Sequence, residues 1–293
     1  MKKINSAVIR KTIAYLCIEA NIQLRRDVIS ALKEAYKKES KRAAKDALMA
    51  IIKNADIAGK KDLAICQDTG MPYIFAEIGY KLRIIGNLKQ AINQGVKAGY
   101  KKGFLRSSII KNPLSRIKPG YVPAIIHLDF IKGSNLKLTV LAKGFGCENK
   151  SQIKMFNPTD KIEEIKKFIV QAVKTAGADA CPPYVVGVGI GGTADYAGFL
   201  AKKALLRKIK NQISNIKHTN QKVLPCRQAG KIKDRLEREL LIAINRLGIG
   251  PMGLGGKTTA LAVNIETYPT HIAGLPVAVN ISCHALRSAT KKL

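Results

Sequence analysis

Apolar residues recur at helical spacing through the first third of the chain. Val8, Ile9, Ile13, Leu16, Cys17 and Ala20 fall at steps of three and four and give one apolar face. Residues 25 to 56 continue the pattern with Val28, Leu32, Ala35, Ala43, Ala47 and Ile51, and a further helix is predicted from 86 to 101, beyond the break at Gly86. The character then changes. AIIHLDFI (124–131) and LKLTVLA (136–142) read as strands joined by Gly133-Ser134-Asn135. A helix at 160–176 is followed by YVVGVGIGGTADYAGFLAKKALLRKIK, which reads as strand, glycine turn and helix. TALAVNIET and GLPVAVNIS add two strands near the end. This order predicts an α/β (α+β) fold, a single domain with N-terminal helices packed on a mixed sheet. Strand order is not readable from it.

One stretch breaks the pattern. Residues 207–233 hold few core positions and many bases, with no acid before Asp234, and read as an exposed insertion or a loose helix extension. Cys226 lies inside it and is expected to be irrelevant to function. A helix resumes afterwards and ends at Gly248.

Composition is ordinary for a globular chain of 293 residues, at 46% hydrophobic and 24% charged, but 51 basic against 20 acidic residues leave a net charge of +31. Such a field draws polyanions, so a basic nucleic-acid-binding protein without catalysis has to be weighed. The bases are mostly lysines scattered in pairs, with no basic reading helix, aromatic RNA-binding strand or zinc-finger spacing, which argues against nucleic acid. The excess also suits the approach of an anionic substrate. The N-terminus begins like a signal peptide, but Arg10 and Lys11 interrupt its apolar stretch. No apolar run reaches membrane-spanning length. A cytoplasmic protein without membrane partners is expected.

Six widely spaced cysteines in such a chain favour metal-binding, catalytic or buried thiols over a disulfide frame. Cys66, Cys147, Cys181 and Cys283 each stand beside glycine, proline or a strand end, where they could converge or could equally be small buried hydrophobes. No CxxC pair is present to decide between these. The GVGIGGTAD segment is only a loose dinucleotide fingerprint, and GIGPMGLGGKTTA lacks the leading strand of a phosphate loop. His271 and His284 bracket the last strand. Arg106, Arg116 and Arg287 are candidate carboxylate clamps.

Taken together, CQDTGMP, FLRSS, NPLSR, KGFGCENKS, CPPYVVGVGIGGTAD, LGIGPMGLGGKTTA and ETYPTHIAGLPVAVNISCHALR resemble the alpha subunit of the iron–sulfur (class I) fumarate hydratase and L(+)-tartrate dehydratase family. The resemblance runs in order along most of the chain. It implies a 4Fe–4S cluster held by Cys66, Cys181 and Cys283, with one iron open to act as a Lewis acid on the substrate hydroxyl. It places Gln67, Asp68, Arg106, Gly146, Asn149, Lys150 and His271 around a small dicarboxylate, with Asp68, Arg106 and His271 as the catalytic set. Cys147 stands where the family usually has serine, close to the site without being a ligand. The resemblance further implies that the proton-abstracting base comes from a separate beta subunit, in an α2β2-type assembly. Asn264 and Ser288 replace usual histidines, and IKPGYVP replaces an Asn-Thr-rich loop.

Overall fold

A computed structural model of the chain describes residues 1–209 and 225–293, apart from the side chains of 225–231. Most of the expected insertion at 207–233, the side chain of Cys226 included, therefore lies outside what is described. In chain order the elements begin with β1 (Lys2–Asn5), α1 (Ser6–Ile22), α2 (Arg26–Lys38) and α3 (Arg42–Lys61). Next come β2 (Met71–Gly79), β3 (Leu82–Ile85), α4 (Leu88–Lys102), β4 (Ile125–Ile131) and β5 (Leu136–Lys143). The middle of the chain forms α5 (Phe145–Glu148), β6 (Gln152–Phe156), α6 (Ile162–Ala176), β7 (Tyr184–Gly192) and α7 (Ala194–Leu205). Last are α8 (Pro225–Asn245), β8 (Ala260–Thr270), β9 (Leu275–Ser282) and β10 (Ser288–Lys292). Helices with mixed sheets give the α+β class expected. The residues sort into two compact units, and one of the points where the chain passes from one to the other falls inside α3.

The first unit comprises Met1–Arg25, Lys53–Phe145 and Ala285–Leu293. Its sheet runs β10-β5-β2-β4, with β2 parallel to β4 and antiparallel to β5. The core lies between this sheet and helices α1 and α4. Ile9, Ile13 and Leu16 meet Ile92 and Val96, and with Ile74, Leu136, Leu138 and Val140 they are fully buried. The glycine turn at 133–135 is present, yet the strands it joins do not pair with each other. β2 lies between them, and a methyl group on Gly79 at its end would sit 2.4 Å from the carbonyl oxygen of Gly133. Sequence reading missed β2 because a strand buried on both faces shows a continuous apolar run and no period.

The second unit comprises Arg26–Ile52 and Gly146–His284. Its sheet runs β6-β9-β7-β8, with β7 parallel to β8 and antiparallel to β9. Ile169 and Val173 of α6, Leu240 and Ile244 of α8, and Val186, Val188, Val263 and Val279 fill its core. The predicted glycine turn is in fact strand. Methyl groups on Gly187 and Gly189 would lie 2.1 Å from the carbonyl of Ala201 and 2.0 Å from that of Ala197, so these glycines let α7 close on β7.

The helical pattern over 25–56 is carried by two helices, α2 and α3. Glu39 Oε1 accepts the N–H groups of Ser40 and Lys41 at 2.9 and 3.0 Å, which ends one helix and starts the next. The break shifts the helical phase: α3 buries Ala44 and Leu48, while Ala43 is exposed and Ala47 half-buried. Glu39 Oε2 accepts Lys257 N–H at 2.7 Å. The GLGGK segment thus closes around an internal carboxylate.

Candidate functional site

In the first unit the predicted residues gather in the loop ahead of β2. Ile65 is pinned on both sides, its N–H donating to Asn21 O at 2.9 Å and its carbonyl accepting from Asn54 Nδ2 at 2.9 Å. That fixes the backbone from which the half-buried Cys66 projects. Its thiol lies 3.5 Å from Oε1 of the exposed Gln67. Asp68 is oriented by two main-chain donors: Gly70 N–H to Oδ1 at 3.0 Å and Phe145 N–H to Oδ2 at 2.8 Å. Phe145 can reach it because Met71 at the start of β2 pairs with Lys143 at the end of β5. Gly70 has φ +75°, and a Cβ there would sit 2.8 Å from the backbone of Ala142 and Lys143. Only glycine lets the chain turn so close to β5.

Arg106 belongs to the same grouping. Its N–H donates to Thr69 Oγ1 at 3.0 Å while its side chain stays exposed. The Tyr100 hydroxyl, buried at the end of α4, is 3.1 Å from the carbonyl oxygens of both Thr69 and Gly70. Arg287 is not an open clamp. It is 2% exposed, and Nη1 donates to Asp68 O and, at 3.3 Å, to Asn21 Oδ1. It therefore braces the loop from within. Arg116 stands exposed and carries no such link. Thr69, Tyr100 and Asn21 escaped sequence reading. Asn21 alone left a signal, a polar residue on the apolar face of α1.

The second unit carries the other predicted residues. β7 starts where antiparallel β9 ends, Val185 pairing with Ser282, so the loops bearing Cys181 and Cys283 share one edge of the sheet. His284 directs its N–H (3.4 Å) and Nδ1 (3.1 Å) at the Cys181 carbonyl. Cys181 is held at φ +57°, a left-handed conformation rare outside glycine. The segment after β5 comes to the same edge. Cys147 is buried, and its thiol donates to Ala180 O at 3.3 Å. Lys150 pairs with Asp179 at 3.2 Å, and Gly146 and Asn149 are exposed beside them.

His271 is not brought to this group. It sits in the turn before β9, whereas Cys283 follows that strand. Eight residues of strand place them about 25 Å apart. The resemblance had placed His271 around the substrate, but the extended strand β9 separates it from Cys283.

The family model described as Fumarate hydratase (Fumerase) matches residues 10–292. The chain belongs to the fumarate hydratase family. A Methanocaldococcus jannaschii protein named "Putative L(+)-tartrate dehydratase subunit alpha" is 43% identical over 94% of each chain. The L(+)-tartrate dehydratase subunit alpha of Escherichia coli strain K12 is 30% identical over 90% of this chain and 84% of its own length. That of Shigella sonnei shows the same figures.

The thiols can be tested against the cluster expected from the resemblance. Cys66, Cys181 and Cys283 are outside disulfides and half-buried at element ends, which suits soft metal donors. Cys17 and Cys147 do not suit: Cys17 is fully buried, which pushes its thiol far above the usual range, and Cys147 is turned to a carbonyl. Within neither unit do three metal-ligating side chains converge among the described residues. Cys66 belongs to the first unit, and Cys181 and Cys283 to the second. By donor type and half-burial alone, these three thiols fit an iron–sulfur cluster.

Proposed function

We propose that this fumarate hydratase family member is the alpha subunit of a 4Fe–4S hydro-lyase that interconverts fumarate and (S)-malate. One observation carries the reading: the 66–70 loop joins a half-buried thiol, a carboxylate held by two N–H groups and an arginine anchored through Thr69. In this reading Cys66, Cys181 and Cys283 hold the cluster, which when bound supplies Lewis-acid polarisation of the substrate hydroxyl. The rest falls to side chains. Arg106 neutralises a substrate carboxylate and the charge that grows on it as the neighbouring carbon loses its proton. Asp68 has both oxygens oriented in advance, so it can take a hydrogen bond from the substrate hydroxyl without reorganising. Gln67, Gly146, Asn149 and Lys150 complete the dicarboxylate contacts. The general base comes from a separate beta subunit in an α2β2-type assembly, in keeping with the alpha-subunit names of the relatives.

Those names favour a second reading, L(+)-tartrate dehydration, which asks the same of every residue above. The test is anaerobic reconstitution of this chain with its beta subunit and iron, followed by assays on malate and on L-tartrate. Malate turnover is expected. Turnover of tartrate alone would transfer the assignment to the second reading, and turnover of neither would overturn both.

A further inference from the structure

Four cations in the first unit serve no part of the reading above. A groove of about 480 Å3 between α1 and α4 is lined by Arg10, Lys11, Lys97 and Lys101 around Ala14 and Ala98. The two helices are unusually close. A Cβ on Gly95 would sit 2.6 Å from Arg10 O, and one on Gly99 2.5 Å from Ala14 O. That contact sets cationic side chains of both helices over one concavity. Lys97, Ala98 and Lys101 follow one another at steps of one and three, so α4 shows the groove a single face.

The charge here is uncompensated. None of the four side chains makes a hydrogen bond or ion pair among the described residues. α4 contains no acid, and α1 holds only Glu19, more than two turns beyond Arg10. Some other lysines of this basic chain do have acids beside them: Lys37 with Glu34, Lys60 with Asp56, Lys137 with Glu77 and Lys166 with Glu163 and Glu239. Gathering four positive charges without an acid raises mutual repulsion, which a bound anion relieves. The groove lies in the volume range of small-ligand sites, and lysines act on phosphate as mobile point charges. A long nucleic-acid backbone would need an extended basic track, whereas this is a compact hollow.

We propose that the α1–α4 groove binds a compact polyphosphate anion of the triphosphate class. The site uses no residue of the hydro-lyase reading, so either can fail alone. The test is calorimetric titration of the full 293-residue chain with inorganic tripolyphosphate at low and at physiological salt. Saturable binding is expected at low salt, weakening as salt rises. The double variant Lys97→Ala/Lys101→Ala should bind at least about tenfold more weakly. The matched loss of charge in Lys37→Ala/Lys60→Ala should leave binding within about twofold. Absence of saturable binding, or equal weakening by both double variants, would overturn the site. So would a single-stranded oligonucleotide that binds through the same lysines and is not displaced by tripolyphosphate.

Discussion

The two four-stranded sheets share one strand plan and carry different chemistry. In the first, β2 lies between β4 and β5, and in the second, β7 lies between β8 and β9. Each central strand is parallel to the next strand of the plan and antiparallel to the one after. The outer strands correspond too, β10 against β5 and β6 against β9, both antiparallel. Each central strand is preceded by a cysteine loop, and in each the segment after the antiparallel strand donates back to that loop. Phe145 N–H reaches Asp68, and His284 N–H reaches Cys181 O. The difference lies in what the loops add. The first offers a carboxylate and an anchored arginine beside its thiol, while the second offers two thiols on strained or turning backbone. A strand plan decides where a thiol stands, and the residues around it decide whether it has polar company.

The largest effect should come from removing the thiols. Cys66→Ser, Cys181→Ser and Cys283→Ser are each expected to abolish iron binding in the anaerobically reconstituted protein, read as iron content and visible absorbance. Cys147→Ser should keep both, because serine can donate to Ala180 O as the thiol does. Iron retained in Cys66→Ser but lost in Cys147→Ser would break the correspondence between the two cysteine loops.

Much of this was legible in the residues, within limits that physics explains. The buried face of α1 could be read directly, since Ile9, Ile13, Leu16, Cys17 and Ala20 are all buried. β7, β8 and β9 could be read as strands, but not that β7 separates the other two. The α2–α3 break was hidden because its cause, Glu39, takes one of its donors from Lys257, 218 residues away. At the site, thiols beside turn residues were visible as candidates. The supports of Asp68 were not, because Phe145 and Arg287 reach it across 77 and 219 residues. Burial also reversed one role, turning Arg287 from a candidate clamp into an internal brace.

A middle-sized effect would sharpen the comparison of how the loops are seated. Gly70→Ala forces a side chain onto φ +75° and against the β5 backbone, at a cost of about 3 kcal/mol. Gly146→Ala meets nothing within 4 Å and should stay within about 0.5 kcal/mol of the parent. Urea denaturation midpoints measure both. A Gly70→Ala protein as stable as Gly146→Ala would mean that the loop ahead of β2 is not pressed on β5.

The smallest effect tests the carboxylates. Asp68 has two main-chain donors and stands half-buried at the site, whereas Glu39 has three and is 4% exposed. Burial of Glu39 works against its charge, but the N–H groups of Lys41, Lys257 and Ser40 outweigh it and hold the pKa below the ordinary 4.5. A folded-state pKa lower than the unfolded one adds stability that is complete above 4.5 and disappears as pH falls through the folded value. Glu39→Gln should therefore cost about 1–2 kcal/mol at neutral pH, since charge-assisted bonds become neutral ones. The gap between variant and parent should narrow as the pH is taken below 4.5, where Glu39 itself is neutralised. Paired urea titrations across that range measure it. A gap that held constant into acid would mean that Glu39 acts by shape and not by charge, and would remove it as the structural counterpart of Asp68.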